Sequence, residues 1–548
     1  MLMRRMRFRR LFRARFAQLV VLAVLATAGV LAFGVGSAFA SGSYTCTGVA
    51  AVDTPGLQAL LSGGGTVTVL GPLPCVGNWT VPVDVTIVGG SPGATLNGNA
   101  TGSVLTVTAA VTLTVRNLKV TNGAAVFGGG ILDPFCGSTV NLSNAVVTGN
   151  TASDEGGGVF VDCATLNVTA STISNNTAVF GGGIYAIDFG TVNVTNSSVT
   201  GNTAEEGGGV FFGGFELLNL TGATVSRNSA GFTGGGIFGV EAAFLNGTAS
   251  TISSNSAGSA AVAEGEPLDA AGGGIAADFG YVTLTSTHVS GNTTSGFGGG
   301  IAFEDGGIPL EAARPAAAPS GHAGHFPHLS LPSVKAPKGV VPNQPPIITL
   351  SPGLNLVSST VDHNTAQVGA GGGIANFSCE FDSPVTMTGT TVSINRSSGR
   401  DLDPDSGGGA YVQYGNDCSE DTTASLVATN SQFGGNTAKS SVGGAIFNAS
   451  FDGGGAALVT LAQTPVMRLP MYLNDNQAGW GGGIFNWGDG ANTTLQPGAH
   501  VVHNQAFFNG GGVFNDCDGT LTVAPGALIM FNTPNQVFTN LGPCLVED

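Results

Sequence analysis

Residues 181–209 read GGGIYAIDFGTVNVTNSSVTGNTAEEGGG, and this stretch contains one full repeat of the chain. A glycine triplet and an aliphatic residue come first, the alternating segment TVNVT follows at 191–195, and Val199-Thr200-Gly201-Asn202 precedes the next triplet. Alternation of apolar and polar β-branched residues predicts a strand with one buried face. Three short strands per repeat cannot enclose a core alone, so neighbouring repeats must stack on one another.

Two motifs recur with the same period along the chain. The glycine motif occurs 12 times, at 128–131, 156–159, 181–184, 207–210, 234–237, 272–275, 298–301, 371–374, 407–410, 443–446, 481–484 and 510–513. An apolar residue stands three places before an asparagine at Asn150, Asn176, Asn202, Asn228, Asn255, Asn292, Asn364, Asn395, Asn436, Asn476 and Asn504. The short spacings cluster near 26 residues, and the long ones are explained by insertions.

This repeat predicts an all-β chain folded as a right-handed parallel β-helix solenoid of about 12 or more coils. Val192 and Val194 are expected to point inward, and the glycines to occupy turns with positive φ or places without room for a side chain. The asparagine at each corner is expected to adopt left-handed geometry and to hydrogen-bond its counterpart in the next coil.

The ends of a solenoid need capping. Residues 54–61, TPGLQALL, predict a short N-terminal capping helix with Thr54 as its N-cap and Pro55 as its first residue. The predicted organisation is a signal peptide at 1–40, an N-terminal cap with irregular first coils at 41–120, β-helix repeats at 121–304, a Pro/Ala-rich loop insertion at 305–350, and repeats with a C-terminal cap at 351–548.

The N-terminus has the pattern of an export signal. Seven arginines lie between residues 4 and 15, an apolar run from Leu19 to about Phe33 follows, and Ala38-Phe39-Ala40 suits a signal peptidase. We therefore expect a mature chain without a membrane span, secreted or held in the cell envelope, with a retained N-terminal anchor as the alternative. The chain has 17 Lys and Arg against 34 Asp and Glu, and this acidic balance excludes nucleic acid as a partner.

The paired motifs resemble the repeats of polymorphic outer-membrane proteins and of bacterial right-handed β-helix repeat proteins over residues 120–535. Residues 443–446, GGAI, with 433–436, FGGN, match the family pattern most literally. The resemblance implies a pectin-lyase-like β-helix and a role as a surface adhesin or secreted protein. Those proteins end in a translocating β-barrel, whereas this sequence ends at 545–548, LVED, just after its last repeat, so we expect release or loose wall association.

Fold analogy leaves two classes of function open. The sequence favours a non-catalytic secreted or cell-surface protein with a binding, adhesive or structural role, whose partner is a polysaccharide or another cell surface. The alternative is a carbohydrate-active enzyme, either a polysaccharide lyase or a glycoside hydrolase. The sequence does not indicate the oligomeric state.

Three acids are candidates for catalysis. Asp162, Asp188 and Asp278 follow their glycine motifs at similar offsets, so they are expected to lie on one outer face, where a pair of carboxylates can act as acid and base. The alternative is that they are solvated surface acids near a turn. The Asp-Asp and Gly-His-Gly signatures of pectinase-like hydrolases are absent from the sequence, and with so few basic residues the cations that a lyase needs have no evident counterpart.

Two segments are candidates for binding metal. Asp401, Asp403 and Asp405 precede a glycine, as in the first half of a calcium loop, although Val412 stands where the loop's glutamate belongs. We expect either a Ca²⁺ site or an exposed acidic turn there, and no cofactor that the fold requires. His322, His325 and His328 in the long insertion form a weaker candidate for a transition metal.

Rows of polar residues on the outer faces of strands allow a further interpretation. Thr165, Asn167 and Thr169 align with Thr191, Asn193 and Thr195 one repeat later. Such rows could order water on ice, but an uncharged solvated sheet needs the same residues.

The chain has eight cysteines, an even number that indicates disulfides in an exported protein. Adjacent coils lie ~4.8 Å apart, a Cα separation that a disulfide accepts. Spacings of about one coil therefore predict the pairs Cys46–Cys75, Cys136–Cys163 and Cys517–Cys544. Cys379–Cys418 is predicted as a fourth pair, separated by one coil and the acidic insertion that contains Asp401. Free buried thiols are the alternative.

Overall fold

The chain winds into a right-handed parallel β-helix, as the repeat predicts. The computed structural model describes residues 41–90, 92–258, 271–278, 280–304, 353–367, 369–378, 382–398, 407–414, 422–450, 455–464, 470–516 and 518–540, without the side chains of residues 439 and 440. Each coil passes through four parallel sheets, which we number 1 to 4 in the order in which the chain meets them after a turn.

Sheet 1 is formed by the alternating segments. Its 16 strands are Gly42–Thr45, Gly65–Leu70, Val85–Gly89, Thr112–Arg116, Thr139–Ser143, Thr165–Thr169, Thr191–Thr195, Leu217–Thr221, Phe244–Thr248, Tyr281–Thr285, Leu354–Val357, Ser383–Thr388, Thr423–Thr429, Ala456–Ala462, Ala491–Leu495 and Thr520–Val523. Val192 and Val194 are fully buried and point inward, as predicted.

Sheet 2 carries the apolar residue that stands three places before each asparagine. Its 15 strands are Cys75–Val76, Thr95–Asn97, Lys119–Thr121, Val146–Thr148, Thr172–Ser174, Ser198–Thr200, Thr224–Ser226, Thr251–Ser253, His288–Ser290, Thr360–Asp362, Thr391–Ser393, Gln432–Gly434, Met471–Asn474, Ala499–Val502 and Leu528–Met530. In most of these short strands the middle residue is buried, as Val199 is, and adds to the same core.

Sheet 3 was not predicted. The strands Ala124–Phe127 and Thr151–Glu155 pair with each other, and bridges at Thr177 and Phe180 connect them to nine further strands. Those nine are Thr203–Glu206, Ser229–Thr233, Ser256–Ala257, Thr293–Thr294, Thr365–Ala366, Arg396–Ser397, Thr437–Val442, Gln477–Trp480 and Gln505–Ala506. Many of these strands are only two residues long, too short to show an alternating pattern in the sequence.

Sheet 4 follows the glycine motif. Its 15 strands are Trp79–Val81, Leu105–Val107, Ile131–Asp133, Val159–Asp162, Ile184–Ile187, Val210–Gly213, Ile237–Val240, Ile275–Asp278, Ile301–Glu304, Ile374–Ser378, Ala410–Tyr414, Ile446–Ser450, Ile484–Trp487, Val513–Asp516 and Val537–Thr539. The strands between residues 65 and 120 join the same sheets, so the first coils belong to the regular stack.

The predicted asparagine ladder runs through the interior. Asn202, which has no exposed surface, accepts a hydrogen bond at Oδ1 from Asn176 Nδ2 (3.1 Å), and its own Nδ2 donates to Asn228 Oδ1 (3.0 Å) and to the Ile173 carbonyl (3.1 Å). The expectation that this asparagine has left-handed geometry was wrong. The positive φ belongs to the residue before it, such as Gly201 (φ 66°), because that residue makes the turn and leaves the asparagine side chain free to point inward.

The third glycine of each triplet leaves the space that the asparagine side chain of the ladder occupies. A Cβ atom on Gly183 would lie 2.9 Å from Asn202 Nδ2 and 2.5 Å from the Gly209 carbonyl oxygen. The first glycine, Gly181, has φ 62° and makes the turn into sheet 4. One triplet thus supplies both the turn and the space for the amide.

An N-terminal helix covers the first coil, as predicted, but it begins earlier than expected. It spans Ala50–Leu61 with Val49 as its N-cap, so Thr54 is not the cap and Pro55 lies inside the helix. The buried carboxylate of Asp53 holds this first turn, since it accepts hydrogen bonds from the backbone N–H groups of Thr47 (2.9 Å), Gly48 (3.0 Å) and Val76 (3.0 Å). Desolvation alone would raise the pKa of Asp53, but these hydrogen bonds outweigh it and lower that pKa.

Two of the four predicted disulfides are present. Cys46 is bonded to Cys75 with a Cα separation of 4.6 Å, and Cys136 to Cys163 with one of 4.4 Å. Both pairs join adjacent coils, as the repeat length requires. Cys379, Cys418, Cys517 and Cys544 lie outside the described residues.

Candidate functional site

Four carboxyl side chains gather where sheet 4 turns into sheet 1. Asp133 and Asp162 end the strands Ile131–Asp133 and Val159–Asp162, Asp188 follows the strand Ile184–Ile187, and Glu216 precedes the strand Leu217–Thr221. The four residues come from four successive coils. We call Asp133, Asp162, Asp188 and Glu216 the acidic cluster.

The four side chains of the acidic cluster differ in solvent exposure. Asp133 and Glu216 have no exposed surface, Asp162 is half-buried and Asp188 is exposed. Asp133 Oδ2 accepts a hydrogen bond from Ser138 Oγ (2.5 Å). Asp188 and part of Asp162 are therefore open to solvent, whereas Asp133 and Glu216 are closed off from it.

The position of the Glu216 carboxyl depends on Gly190 in the preceding coil. Its Oε2 accepts a hydrogen bond from the Gly190 N–H (2.6 Å), while its Oε1 is buried and has no hydrogen-bond partner among the described residues. A Cβ on Gly190 would lie 2.8 Å from Oε2 and 2.9 Å from Oε1. Only glycine at this position lets the carboxyl reach the backbone.

Burial raises the pKa of the carboxyls in the cluster. Desolvation raises the pKa of Asp133 to about 6, and desolvation together with the charges of Asp188 and Asp133 raises that of Asp162 to about 7. Desolvation is also the main reason why the pKa of Glu216 is raised to about 9, with the charges of Asp188 and Asp162 adding to it. At neutral pH the cluster holds both protonated and ionised carboxyls.

A second buried carboxyl lies next to this cluster. Glu155 has its pKa raised to about 8 by desolvation and by the charges of Asp154 and Asp162, and it is hydrogen-bonded to Tyr185. Tyr185 belongs to an aromatic column outside sheet 4, with ring centroids 5.4 Å from Phe160 and 5.0 Å from Phe211. These rings are almost fully buried, so the column packs the coils together and leaves no open surface for a ligand.

Two phenylalanines project from the same turns as the acidic cluster. The rings of Phe189 and Phe215 stack with centroids 5.1 Å apart and planes 4° from parallel. Phe189 is 72% exposed, and both residues have positive φ (61° and 66°). Exposed aromatic rings and strained backbone are both costly to a protein and often mark a functional surface. We call Phe189 and Phe215 the phenylalanine pair, and the pair together with the acidic cluster the candidate site.

No positive charge lies nearby in the sequence. Between Lys119 and Arg227 the chain has no Lys, Arg or His, yet it has eight acids, Asp133, Asp154, Glu155, Asp162, Asp188, Glu205, Glu206 and Glu216. The stretch of chain that forms the candidate site is therefore rich in acids and has no basic residue of its own.

The structure brings together two of the three predicted catalytic candidates. Asp162 and Asp188 lie in adjacent coils, although Asp162 is in register with Ile187, so Asp188 is displaced by one residue. Asp278 is in the same row as Asp162 but four coils further along, between Val240 and Glu304. It therefore cannot act on the same bond as Asp162.

The predicted metal ligands lie elsewhere in the chain. Asp401, Asp403 and Asp405, and the histidines His322, His325 and His328, are outside the described residues. Within the described part of the chain there is no group of three or more His, Cys, Asp or Glu placed to hold a metal ion.

The sequence did not single out Glu216 or the phenylalanine pair. A signal for them does exist, since Asp188-Phe189-Gly190 and Gly214-Phe215-Glu216 occupy the same turn of successive coils. Each places an aromatic residue beside an acid at a turn, where the alternating pattern of the strands no longer applies.

The outer face of sheet 1 is a separate polar surface. Asn167 Nδ2 donates to Asn141 Oδ1 (2.9 Å) and Asn193 Nδ2 donates to Asn167 Oδ1 (2.9 Å), and the row continues through Asn219 and Asn246. Threonines such as Thr165 and Thr169 flank it, and a shallow groove crosses it at Arg116. These amides hydrogen-bond to one another, as the ordinary interpretation of an uncharged solvated sheet expects.

Comparison of the chain with protein families, with curated proteins and with solved structures found no match. None of the helices among the described residues is long and apolar enough to cross a membrane.

Proposed function

We propose that this protein is a non-catalytic binding protein that acts outside the cytoplasm, secreted or at the cell surface. The β-helix is the scaffold and the candidate site is where the ligand binds. The observation that carries this proposal is the exposed, stacked phenylalanine pair beside the exposed carboxylate of Asp188. Exposed apolar side chains with polar groups beside them are typical of an interaction surface.

Several features support a location outside the cytoplasm. The N-terminal segment has the basic, apolar and small-residue regions of an export signal. Disulfides such as Cys46–Cys75 and Cys136–Cys163 persist in oxidising compartments. The likeness of the glycine and asparagine motifs to the repeats of polymorphic outer-membrane proteins supports a surface or adhesive role.

The second candidate function is glycoside hydrolysis, and one specific observation favours it. Asp162 has its pKa raised to about 7 beside the exposed Asp188 in the adjacent coil. A carboxyl that stays protonated near neutral pH can act as a general acid, while a neighbouring carboxylate acts as base or nucleophile. This function would require turnover of a polysaccharide that is lost in both Asp162→Asn and Asp188→Asn.

One experiment tests both candidates. The exported, purified protein is titrated with a panel of neutral, acidic and amino polysaccharides, and each mixture is also assayed for chain cleavage. We expect saturable binding without cleavage, weakened about tenfold in Phe189→Ala because the exposed ring contributes contact area. Phe531→Ala is the matched control, since Phe531 is also exposed (66%), has φ 60° and stacks on a ring, that of His503. Absence of binding across the whole panel would contradict the proposed function, and cleavage would favour the hydrolase.

A further inference from the structure

The strands of sheet 1 carry a single charged side chain. Within the described part of the chain its 16 strands hold no Asp, Glu, Lys or His, and Arg116 is their only charged residue. The Arg116 side chain is exposed and has no hydrogen-bond or ion-pair partner among the described residues. In a chain with twice as many acids as bases, an unpaired guanidinium is open to an anion from outside.

Arg116 lies in a groove on the outer face of this sheet. The groove has a volume of about 390 Å³, near the lower end of the range for small-ligand sites. It is lined by two columns of outward side chains from three adjacent coils, Thr114 with Asn141 and Asn167, and Arg116 with Ser143 and Thr169. The Leu142 side chain points into the core, so its main chain forms the floor. We call this the Arg116 groove.

A serine leaves room beside the guanidinium. Ser143 is in register with Arg116 on one side and with Thr169 on the other, and the same column continues through Thr195 and Thr221. Serine lacks the methyl group that threonine has at this position in the following coils. The coil next to Arg116 is therefore the one with space for a ligand.

The Arg116 groove is rich in hydrogen-bond donors. Asn167 Nδ2 donates to Asn141 Oδ1 (2.9 Å), and Asn141 Nδ2 donates to Thr114 Oγ1 (3.3 Å). An amide nitrogen has two N–H groups, so these bonds leave one on each asparagine for a ligand. No carboxylate lines the groove. A ligand that matches this lining is rich in acceptors and carries negative charge.

The lining also limits the class of that ligand. Hydroxyls and amides surround the guanidinium and no apolar side chain faces the groove, so a sugar finds more partners here than a peptide does. A guanidinium forms two parallel hydrogen bonds with one carboxylate. Because Arg116 is the only base in the groove and the whole chain is acidic, a ligand with one carboxylate is favoured over a polyanion.

We propose that the Arg116 groove is a second binding site, separate from the candidate site, for a single acidic sugar at the end of an otherwise neutral glycan. Arg116 pairs with the sugar carboxylate, and the remaining N–H groups of Asn141 and Asn167 donate to sugar oxygens. This site goes beyond the proposed function, since it shares no residue with the acidic cluster or the phenylalanine pair.

The test is titration of the exported, purified protein with sialyllactose, which has one carboxylate, and with lactose, which has none. We expect sialyllactose to bind about fivefold more tightly, with a preference that falls as salt is added because Arg116 is exposed. Arg116→Gln should abolish the preference, and Arg116→Lys should keep only part of it, because an ammonium group lacks the planar fork. Lys119→Gln is the matched control, since Lys119 is an exposed base of the same coil that does not line the groove.

A second variant tests the space in the groove without changing its charge. Ser143→Thr introduces the residue that the neighbouring coils carry in the same column, so the coil should fold as they do. The added methyl group should remove most of the preference for sialyllactose. Circular dichroism and melting of each variant exclude misfolding as the cause of lost affinity.

Several results would overturn this site. They are equal affinity for sialyllactose and lactose, equal losses in Arg116→Gln and Lys119→Gln, or an unchanged preference in Ser143→Thr. Tighter binding of polygalacturonate, or of inorganic sulfate, would overturn the assignment to a single acidic sugar. The proposed function fails separately, because it depends on polysaccharide binding that is weakened in Phe189→Ala.

Discussion

Two halves of the solenoid place polar groups beneath the outer aromatic columns of sheet 4 in different ways. In the C-terminal coils the polar groups are amides: Asn448 donates to Asn486 Oδ1 (3.2 Å), and Asn486 donates to Asn515 Oδ1 (2.9 Å). In the N-terminal coils the same row of the register begins with Asp133 of the acidic cluster and continues through the apolar residues Val161 and Ala186. The other three carboxyls of the cluster lie beyond this row, towards the following turn.

An amide both donates and accepts, so identical amides can satisfy one another along a stack. An ionised carboxylate only accepts, and neighbouring carboxylates repel each other. The amide rows therefore stabilise the stack of coils through hydrogen bonds. The acidic cluster instead raises the free energy of the folded coils. No comparable group of carboxyls occurs among the described residues of the C-terminal coils, and this contrast is the reason for treating the cluster as part of the candidate site.

The largest expected effect is on the pH dependence of stability. In the folded chain the pKa values of Asp133, Glu155, Asp162 and Glu216 are raised to about 6, 8, 7 and 9. The unfolded chain loses these protons at lower pH, so between the ordinary and the raised values the folded chain binds more protons, and stability falls as pH rises. Each pKa unit corresponds to about 1.4 kcal/mol, and fully buried Glu216 contributes most.

Denaturant unfolding at ~pH 5 and ~pH 9 measures this loss, which should reach several kcal/mol. Hydrogen exchange should locate it in residues 121–226 and spare residues 440–516. Glu216→Gln should flatten the dependence between ~pH 5 and ~pH 9. A chain equally stable at both pH values, or one that loosens uniformly, would refute the contrast between the two halves.

The second-largest effect on stability is expected when a carboxylate replaces an amide in the buried asparagine ladder. Asn202→Asp removes the donor to Asn228 Oδ1 and to the Ile173 carbonyl in a site with no exposed surface. We expect a loss of about 3 kcal/mol or more at neutral pH, recovered in part at acidic pH when the carboxyl is protonated.

Asn193→Asp is the control for this substitution, because Asn193 belongs to the half-exposed row on sheet 1 and makes similar amide contacts. Its cost should stay near 1 kcal/mol. Equal losses in unfolding free energy for the two variants would show that burial does not decide the cost.

A smaller effect is expected at the glycine beneath Glu216. Gly190→Ala places a methyl group against the Ala164 carbonyl oxygen and against both carboxyl oxygens of Glu216, and it should cost about 1–3 kcal/mol. Gly490 occupies the same turn in the C-terminal half, where a methyl group would meet the Gly455 carbonyl oxygen and the side chain of Ser450, and no carboxyl. Both variants should melt earlier, but only Gly190→Ala should alter the pH dependence, and a matching change in Gly490→Ala would remove the link to Glu216.

The repeat made the solenoid predictable, whereas the site was only partly so. Val192, Asn202 and the pair Cys136–Cys163 follow from periodicity, because each makes the same contact in every coil that has it. Asp162 and Asp188 could be selected as acids after a glycine motif. Their one-residue offset can also be read from the sequence, since Asp162 is three residues after Val159 whereas Asp188 is four after Ile184. The burial of Glu216 could not be anticipated, since it depends on a glycine in the neighbouring coil.

The smallest effect on stability should come from the residue with the largest effect on binding. Phe189 is 72% exposed and contacts chiefly the ring of Phe215, so Phe189→Ala should change the unfolding free energy by no more than ~0.5 kcal/mol. An alanine in the same left-handed turn keeps the backbone strain and removes only the ring. Thermal melts beside the polysaccharide titrations check this separation. If Phe189→Ala unfolds the coil, the Phe189 ring is part of the packing. The proposal that the phenylalanine pair is the ligand surface would then be wrong.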